Sequence, residues 1–237
     1  DEAHCGVLIV PERYENPEDA TIELDVMIIP GVTNSRASDP IVFAQGGPGG
    51  STIDYYSQVL FTSRIRANRD FILFDQRGTL YSQPALFCDE IYAETIRTLP
   101  LDLSVEESEK LFRDAALACR ARLIAEGTDL SAYNSVENAR DIDSLRKALG
   151  YAKINLYGVS YGTLLALHTM REAPLALRSV ILDAVVPTTI DFNFDAPNSQ
   201  DRAFSEFFQA CKQDASCDAE YPNLEQFFFD LVARMNE

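Results

Sequence analysis

Residues Lys153–Met170 read KINLYGVSYGTLLALHTM. At their centre, Gly158-Val159-Ser160-Tyr161-Gly162 fits the pattern G-x-S-x-G. An apolar run with Ile154 and Leu156 leads in, and Leu164, Leu165, Ala166 and Leu167 lead out. Strand, sharp serine turn, then helix is the context of a nucleophile elbow. The two glycines have a steric reason. The turn brings backbones together, and a Cβ at Gly158 or Gly162 would crowd a neighbouring strand or helix. A Gly/Ser turn without chemistry has the same letters, so the rest of the chain must decide.

Upstream, IVFA at 41–44 is short and wholly apolar, as in a strand buried on both faces. The glycine-rich segment Gln45-Gly46-Gly47-Pro48-Gly49-Gly50-Ser51 follows at once. A helix is expected near 53–67, then a second buried strand within Asp70–Asp75, ending in Gln76-Arg77-Gly78. Earlier still, 6–10 and 21–30 read as strands. The second alternates Ile22, Leu24, Val26 and Ile28, the period of a half-buried antiparallel strand.

Residues 84 to about 134 are helical in pattern, with a capping box at Ser104–Glu107 and Leu111, Ala115, Ala118 and Arg122 at helical spacing. A further helix over about 135–149 ends at Gly150, a C′ glycine. Downstream of the elbow helix, Pro174 is a stop and Arg178–Asp183 predicts one more buried strand. Beyond Thr188 no strand pattern remains. Amphipathic helices are expected at about 199–212 and 223–235, an insertion or lid rich in phenylalanine. Two antiparallel strands followed by strand–helix alternation predict an α/β fold with a mixed sheet and helices on both faces.

The formal charge is −17, from 20 basic and 37 acidic residues. Such a chain repels nucleic acid and anionic membrane surfaces. No apolar run reaches the roughly 18 residues a membrane span needs. The start, Asp1-Glu2-Ala3-His4, lacks the features of a signal peptide. There are five cysteines and two histidines, and no Cys-x-x-Cys pair, which argues against a metal site. Cys211 and Cys217 suit a disulfide closing a short polar loop, and Cys88 and Cys119 a second one flanking the helical excursion. Cys5 is left over. Disulfides point to a secreted, periplasmic or extracellular protein, with a cytosolic enzyme as the alternative.

A serine nucleophile needs a base, an orienting carboxylate and donors for the oxyanion. The elbow supplies the Tyr161 N–H. The loop 45–51 opens at the same sheet edge, and Gly47 is its best second donor. That loop has no Lys-Ser/Thr after it and lacks G-x-G-x-x-G spacing, so neither a nucleotide nor a dinucleotide cofactor is expected.

Together, GGPGG after one strand, Asp75-Gln76-Arg77-Gly78-Thr79 after the next, and Gly158–Thr163 resemble the α/β-hydrolase peptidases of the prolyl iminopeptidase and tripeptidyl aminopeptidase group. The resemblance runs from about Cys5 to Asp183. It continues into Cys217-x3-Tyr221-Pro222-Asn223-Leu224, similar to the cap region of the tripeptidyl aminopeptidase branch. It implies an incomplete α/β-hydrolase core over 1–187, with a helical excursion at about 84–134, and the start of a helical cap over 188–237. It implies Ser160 as nucleophile, the Tyr161 and Gly47 N–H groups as oxyanion hole, and Asp75 and Arg77 as a structural turn nearby. Gln45 stands where many members have histidine. Leu80 stands where D-x-R-G-T-G would put glycine, which predicts a locally different turn.

In this fold the acid and then the histidine follow the serine. After Ser160 the one histidine is His168, two helical turns on, and His4 lies at the other end of the chain. Both read as structural. Asp183 ends a strand at the correct edge but reads as a turn or cap residue. The acid and the histidine are therefore expected from a C-terminal half, in the same or a separate chain, and this stretch alone is expected to be inactive. The implied activity is a serine exopeptidase acting on peptides with free N-termini through an acyl-enzyme. An esterase on small esters and a non-catalytic binding domain are the alternatives. An acidic cap could hold the substrate ammonium, with Glu206 no better a candidate than its neighbours.

Overall fold

A computed structural model describes residues 3–33 and 35–236. Its centre is a six-stranded sheet in the order β1-β2-β4-β3-β5-β6. The strands are β1 (His4–Pro11), β2 (Thr21–Ile29), β3 (Ile41–Ala44), β4 (Phe71–Phe74), β5 (Ile154–Val159) and β6 (Leu177–Asp183). The β1–β2 and β2–β4 pairs are antiparallel, and β4–β3, β3–β5 and β5–β6 are parallel.

β3 and β4 are apolar throughout because both faces are covered. Val42, Ala44, Ile72 and Phe74 meet Ala139, Ile142 and Leu145 of α4 (Ser135–Ala148) and Leu165 and Ala166 of α5 (Tyr161–Glu172). The alternate residues Phe43, Phe71 and Leu73 pack with Leu60 of α1 (Thr52–Phe61) on the other face. The sheet thus aims the carboxyl ends of β3, β4 and β5, with the loops that follow them, at one edge.

The excursion is a helical hairpin, α2 (Asp89–Thr98) and α3 (Val105–Ala125). Ser104 and Glu107 form the reciprocal capping box. A Cys88–Cys119 disulfide ties the two helices, and Arg122 donates to Glu90 and to the Phe87 carbonyl. After β6 come α6 (Phe192–Gln213), α7 (Ala215–Glu220) and α8 (Leu224–Met235). The chain divides into two compact units, Asp1–Thr188 and Thr189–Glu237. Among the described residues no helix is long and apolar enough to cross a membrane.

Four expectations need correction. β6 is not buried within this stretch: Arg178, Ser179, Ile181 and Asp183 are exposed, because among the described residues it pairs only with β5. The helix expected to run to 67 stops at Phe61, and Ser63 caps a separate 3-10 turn over Arg64–Ala67. α6 begins at Phe192 rather than near 199, carrying Pro197 inside it at the loss of one helical hydrogen bond. The segment Cys211–Cys217 is not a loop. It joins two helices, with Asp214 capping α7 by accepting from the Ser216 and Cys217 N–H groups.

Candidate active site

Ser160 sits between β5 and α5 with φ 55° and ψ −123°. A non-glycine residue at positive φ is strained by about 1–3 kcal/mol and persists only where its surroundings over-determine it. Here they do. The Ser160 N–H donates to the Asp183 carbonyl at 2.9 Å, and the Ser160 carbonyl accepts from both the N–H and the hydroxyl of Thr163, at 2.9 and 2.6 Å. Thr163 Oγ1 in turn accepts from the Val186 N–H at 2.8 Å. A Cβ on Gly162 would lie 2.0 Å from the Ala44 carbonyl oxygen, and one on Gly158 would lie 2.3 Å from the Gly162 oxygen. The turn therefore closes only with glycine at both positions. Ser160 itself is exposed.

The glycine loop lies directly against this serine. A Cβ on Gly46 would stand 2.7 Å from Ser160 Cβ and 3.2 Å from its Oγ. The Gly46 N–H donates to Gln45 Oε1 at 2.9 Å, so it is occupied. The Gly47 N–H, like that of Tyr161, engages no acceptor among the described residues. Gln76 Nε2 donates to the Gln45 carbonyl at 2.8 Å, and Gln76 Oε1 accepts from Asn138 Nδ2 of α4 at 2.8 Å. Ser51 ends the loop, capping α1 through the Asp54 N–H and donating to Asp75 Oδ1 at 2.9 Å.

Asp75 is wholly buried and also accepts from the N–H groups of Ile53 and Tyr81. Burial raises its pKa against the pull of these donors. Arg77 forms a buried bidentate pair with Asp141 of α4, both contacts at 2.7 Å, and donates to the carbonyls of Glu12 and Ala132. Tyr14 adds a third donor to Asp141. Burial nonetheless pushes the Asp141 carboxyl up to about 6, against Arg77. Leu80 is exposed, beyond a tight turn in which Thr79 N–H donates to the Gln76 carbonyl. Asp75 and Arg77 thus bolt the loop after β4 to α1 and α4. Asp141, Gln76 and Asn138 were not anticipated. Their polar letters on the apolar face of α4 and after a buried strand were the available signal.

Neither histidine reaches Ser160. His168 lies within α5 beside Arg171, and burial, then that guanidinium, lower its pKa. His4 is on β1, with β2, β4 and β3 between it and β5. Asp183 is at the correct sheet edge, but its carboxylate accepts from the Tyr157 hydroxyl at 2.6 Å. Its role differs from that of a turn or cap residue: it ties β6 to β5. Cys211 and Cys217 are bonded, as are Cys88 and Cys119, and Cys5 is free and exposed. Glu206 pairs with Arg202 on its own helix. Among the described residues no three or more His, Cys, Asp or Glu side chains gather as a metal site.

A mostly parallel sheet, a serine elbow at its carboxyl edge and a glycine loop against that serine define an α/β hydrolase. Residues 39–230 match the family model described as alpha/beta hydrolase fold, and the chain belongs to that family. It is similar to a tripeptidyl aminopeptidase of Streptomyces coelicolor, 33% identical over 210 residues, covering 84% of this chain and 38% of the relative. It is also similar to the serine protease Hip1 of Mycobacterium tuberculosis, 30% identical over 224 residues, covering 91% and 42%. Among solved structures, a proline iminopeptidase of Mycobacterium smegmatis superposes with a TM-score of 0.45 at 16% identity, over 74% of this chain and 42% of the other. The chain thus spans about two fifths of the length of these relatives.

Proposed function

We propose that Ser160 is the nucleophile of a serine peptidase that releases short peptides or residues from free N-termini through an acyl-enzyme. The Tyr161 and Gly47 N–H groups bind the oxyanion. The observation that carries this reading is the strained, exposed Ser160 turn, with Gly46 pressed against the serine and two unengaged N–H groups beside it. A backbone held at such cost needs a reason, and chemistry at the serine supplies one. The peptidase relatives support the substrate class. The base and its carboxylate partner come from residues outside this stretch, on the same or a second chain, since His4 and His168 are both placed elsewhere. Residues 188–237 read as the start of a helical cap. Two disulfides support an oxidising compartment, secreted or periplasmic.

A fluorophosphonate probe tests the assignment. Covalent labelling of the chain together with a segment that supplies a histidine is expected, and Ser160→Ala abolishes it. Labelling that survives Ser160→Ala sinks the assignment. Faster cleavage of a tripeptide anilide than of a short-chain ester is expected from the same assembly, and the reverse order identifies an esterase.

A further inference from the structure

A cavity of about 620 Å³ opens beside the glycine loop, bordered by Gly49, Gly50, Asp54, Tyr55, Leu80 and Phe87. Its volume lies within the roughly 300–1,000 Å³ of ligand pockets. Tyr55, Leu80 and Phe87 are all exposed in its wall, and grouped apolar side chains of this kind mark binding surfaces. Leu80 is the residue that departs from D-x-R-G-T-G, and a glycine there would remove its part of the wall. Asp54 is the one charged residue in the lining among the described residues. It is exposed, and its Oδ1 accepts from the hydroxyl of Tyr81, the neighbour of Leu80, at 2.7 Å. That bond holds the carboxylate between α1 and the turn after β4, the two elements that carry Tyr55 and Leu80. Its Oδ2 accepts from no described residue, and no described arginine or lysine pairs with it. The cavity adjoins the candidate active site: Gly46, pressed against Ser160, accepts from the Gly50 N–H at 3.1 Å.

We propose that this cavity holds the N-terminal residue of the peptide substrate, its ammonium on Asp54 and its apolar side chain against Tyr55, Leu80 and Phe87. The inference rests on the peptidase reading of Ser160 for the substrate class. An exposed carboxylate with one open oxygen and no cation beside it selects a positive charge and rejects a second carboxylate. Apolar walls around it select a group with an apolar side chain within a bond or two of that charge. The first residue of a peptide has one, and a lysine side chain does not. The reach agrees. One turn of chain from Gly46 to Gly50 and one turn of helix from Ser51 to Asp54 set the carboxylate on the order of 10 Å from Ser160. An extended peptide crosses that distance in about three residues, at roughly 3.3–3.6 Å each. The role considered for an acidic cap falls to a residue of α1.

The test is calorimetric binding of Leu-Ala-Ala-Ala amide to the same assembly carrying Ser160→Ala. Acetylation of the peptide's amino group is expected to weaken binding about tenfold, the size of one hydrogen bond to a charged group. Asp54→Asn, which keeps the shape and the bond from Tyr81, is expected to bind the free and the acetylated peptide alike. Leu80→Ala is the independent variant. It weakens the leucyl peptide about threefold and leaves Gly-Ala-Ala-Ala amide unchanged. No binding of either peptide, no effect of acetylation, or an effect of the same size in Asp54→Asn overturns the proposal. The last is the result if another segment of the protein fills the cavity. If Asp54→Asn does not fold, the leucyl-against-glycyl difference in Leu80→Ala decides, and equal losses for the two peptides overturn the proposal. Ser160 is absent throughout, so these affinities do not depend on the nucleophile. Probe labelling that Ser160→Ala abolishes, with no effect of acetylation, leaves the nucleophile standing and removes the pocket. The opposite pattern removes the nucleophile alone.

Discussion

In the unit Asp1–Thr188, the loops that meet at Ser160 are each tied more than once. Ser160 is fixed by Asp183 and Thr163, the glycine loop by Gln76 and Ser51, and the turn after β4 by Asp75 and Arg77. In the unit Thr189–Glu237, only Phe208 and Cys211 are buried among the described side chains. What coheres there is a cluster of Phe204, Phe208, Phe228 and Phe229 and one disulfide. The contrast separates two ways of holding a chain. A site that must keep a strained serine in place is built on rigid elements with a supporting shell. A short helical unit with little core depends on a staple.

The largest test of that contrast is Gly162→Ala. The new Cβ would meet the Ala44 carbonyl oxygen at 2.0 Å, so β3 and α5 could not both keep their places. A loss above about 4 kcal/mol is expected in urea denaturation, beyond the range of ordinary substitutions. Gly6→Ala is the control, since a Cβ there meets nothing within 4 Å. Similar midpoints for the two variants would show that the elbow is not over-determined.

Next in size is Arg77→Met. It strands the Asp141 carboxylate in a buried site, at a cost of about 3–5 kcal/mol. Adding Asp141→Leu removes the stranded charge, and most of the loss is expected to return. A double variant as unstable as Arg77→Met would mean that the other Arg77 contacts, to the Glu12 and Ala132 carbonyls, carry the stability. In Thr189–Glu237 the counterpart is the exposed Arg202–Glu206 pair, and Arg202→Met is expected to leave the midpoint unchanged.

The sheet strands and the elbow were legible because their signals are local. IVFA and FILF are continuous apolar runs, β2 alternates with period 2, and G-x-S-x-G carries its own steric logic. That β6 has one strand partner among the described residues was not legible, because VIL in Arg178–Asp183 reads the same whether one neighbour or two stand beside it. α7 was hidden for a different reason. Its helix depends on the Asp214 cap, a single side chain in a stretch whose polarity resembles a loop. The Gln45–Gln76–Asn138 relay joins residues far apart in sequence, and no spacing rule connects them. Gly47 could be chosen over Gly46 as a donor only by analogy in the sequence. In the structure the Gly46 N–H is engaged by Gln45, which no spacing rule foretells.

The smallest expected effect falls where the second unit is most exposed to it. Cys211 and Cys217 are six positions apart. In the chain-entropy account a loop of that size contributes about 2 kcal/mol, against about 4 for the separation of 31 between Cys88 and Cys119. The smaller figure should nonetheless have the more visible local consequence. Among the described residues Thr189–Glu237 has almost no buried surface to set against it, whereas the hairpin of α2 and α3 is also joined by Arg122 to Glu90 and Phe87. Replacing both Cys211 and Cys217 by serine is therefore expected to raise amide hydrogen exchange through α6, α7 and α8 toward unfolded rates, while the β3, β4 and β5 amides keep their protection. Unchanged exchange in α8 would show that the phenylalanine cluster alone suffices. Loss of protection in β5 as well would show that the two units unfold as one, and the contrast between them would then be one of burial but not of stability.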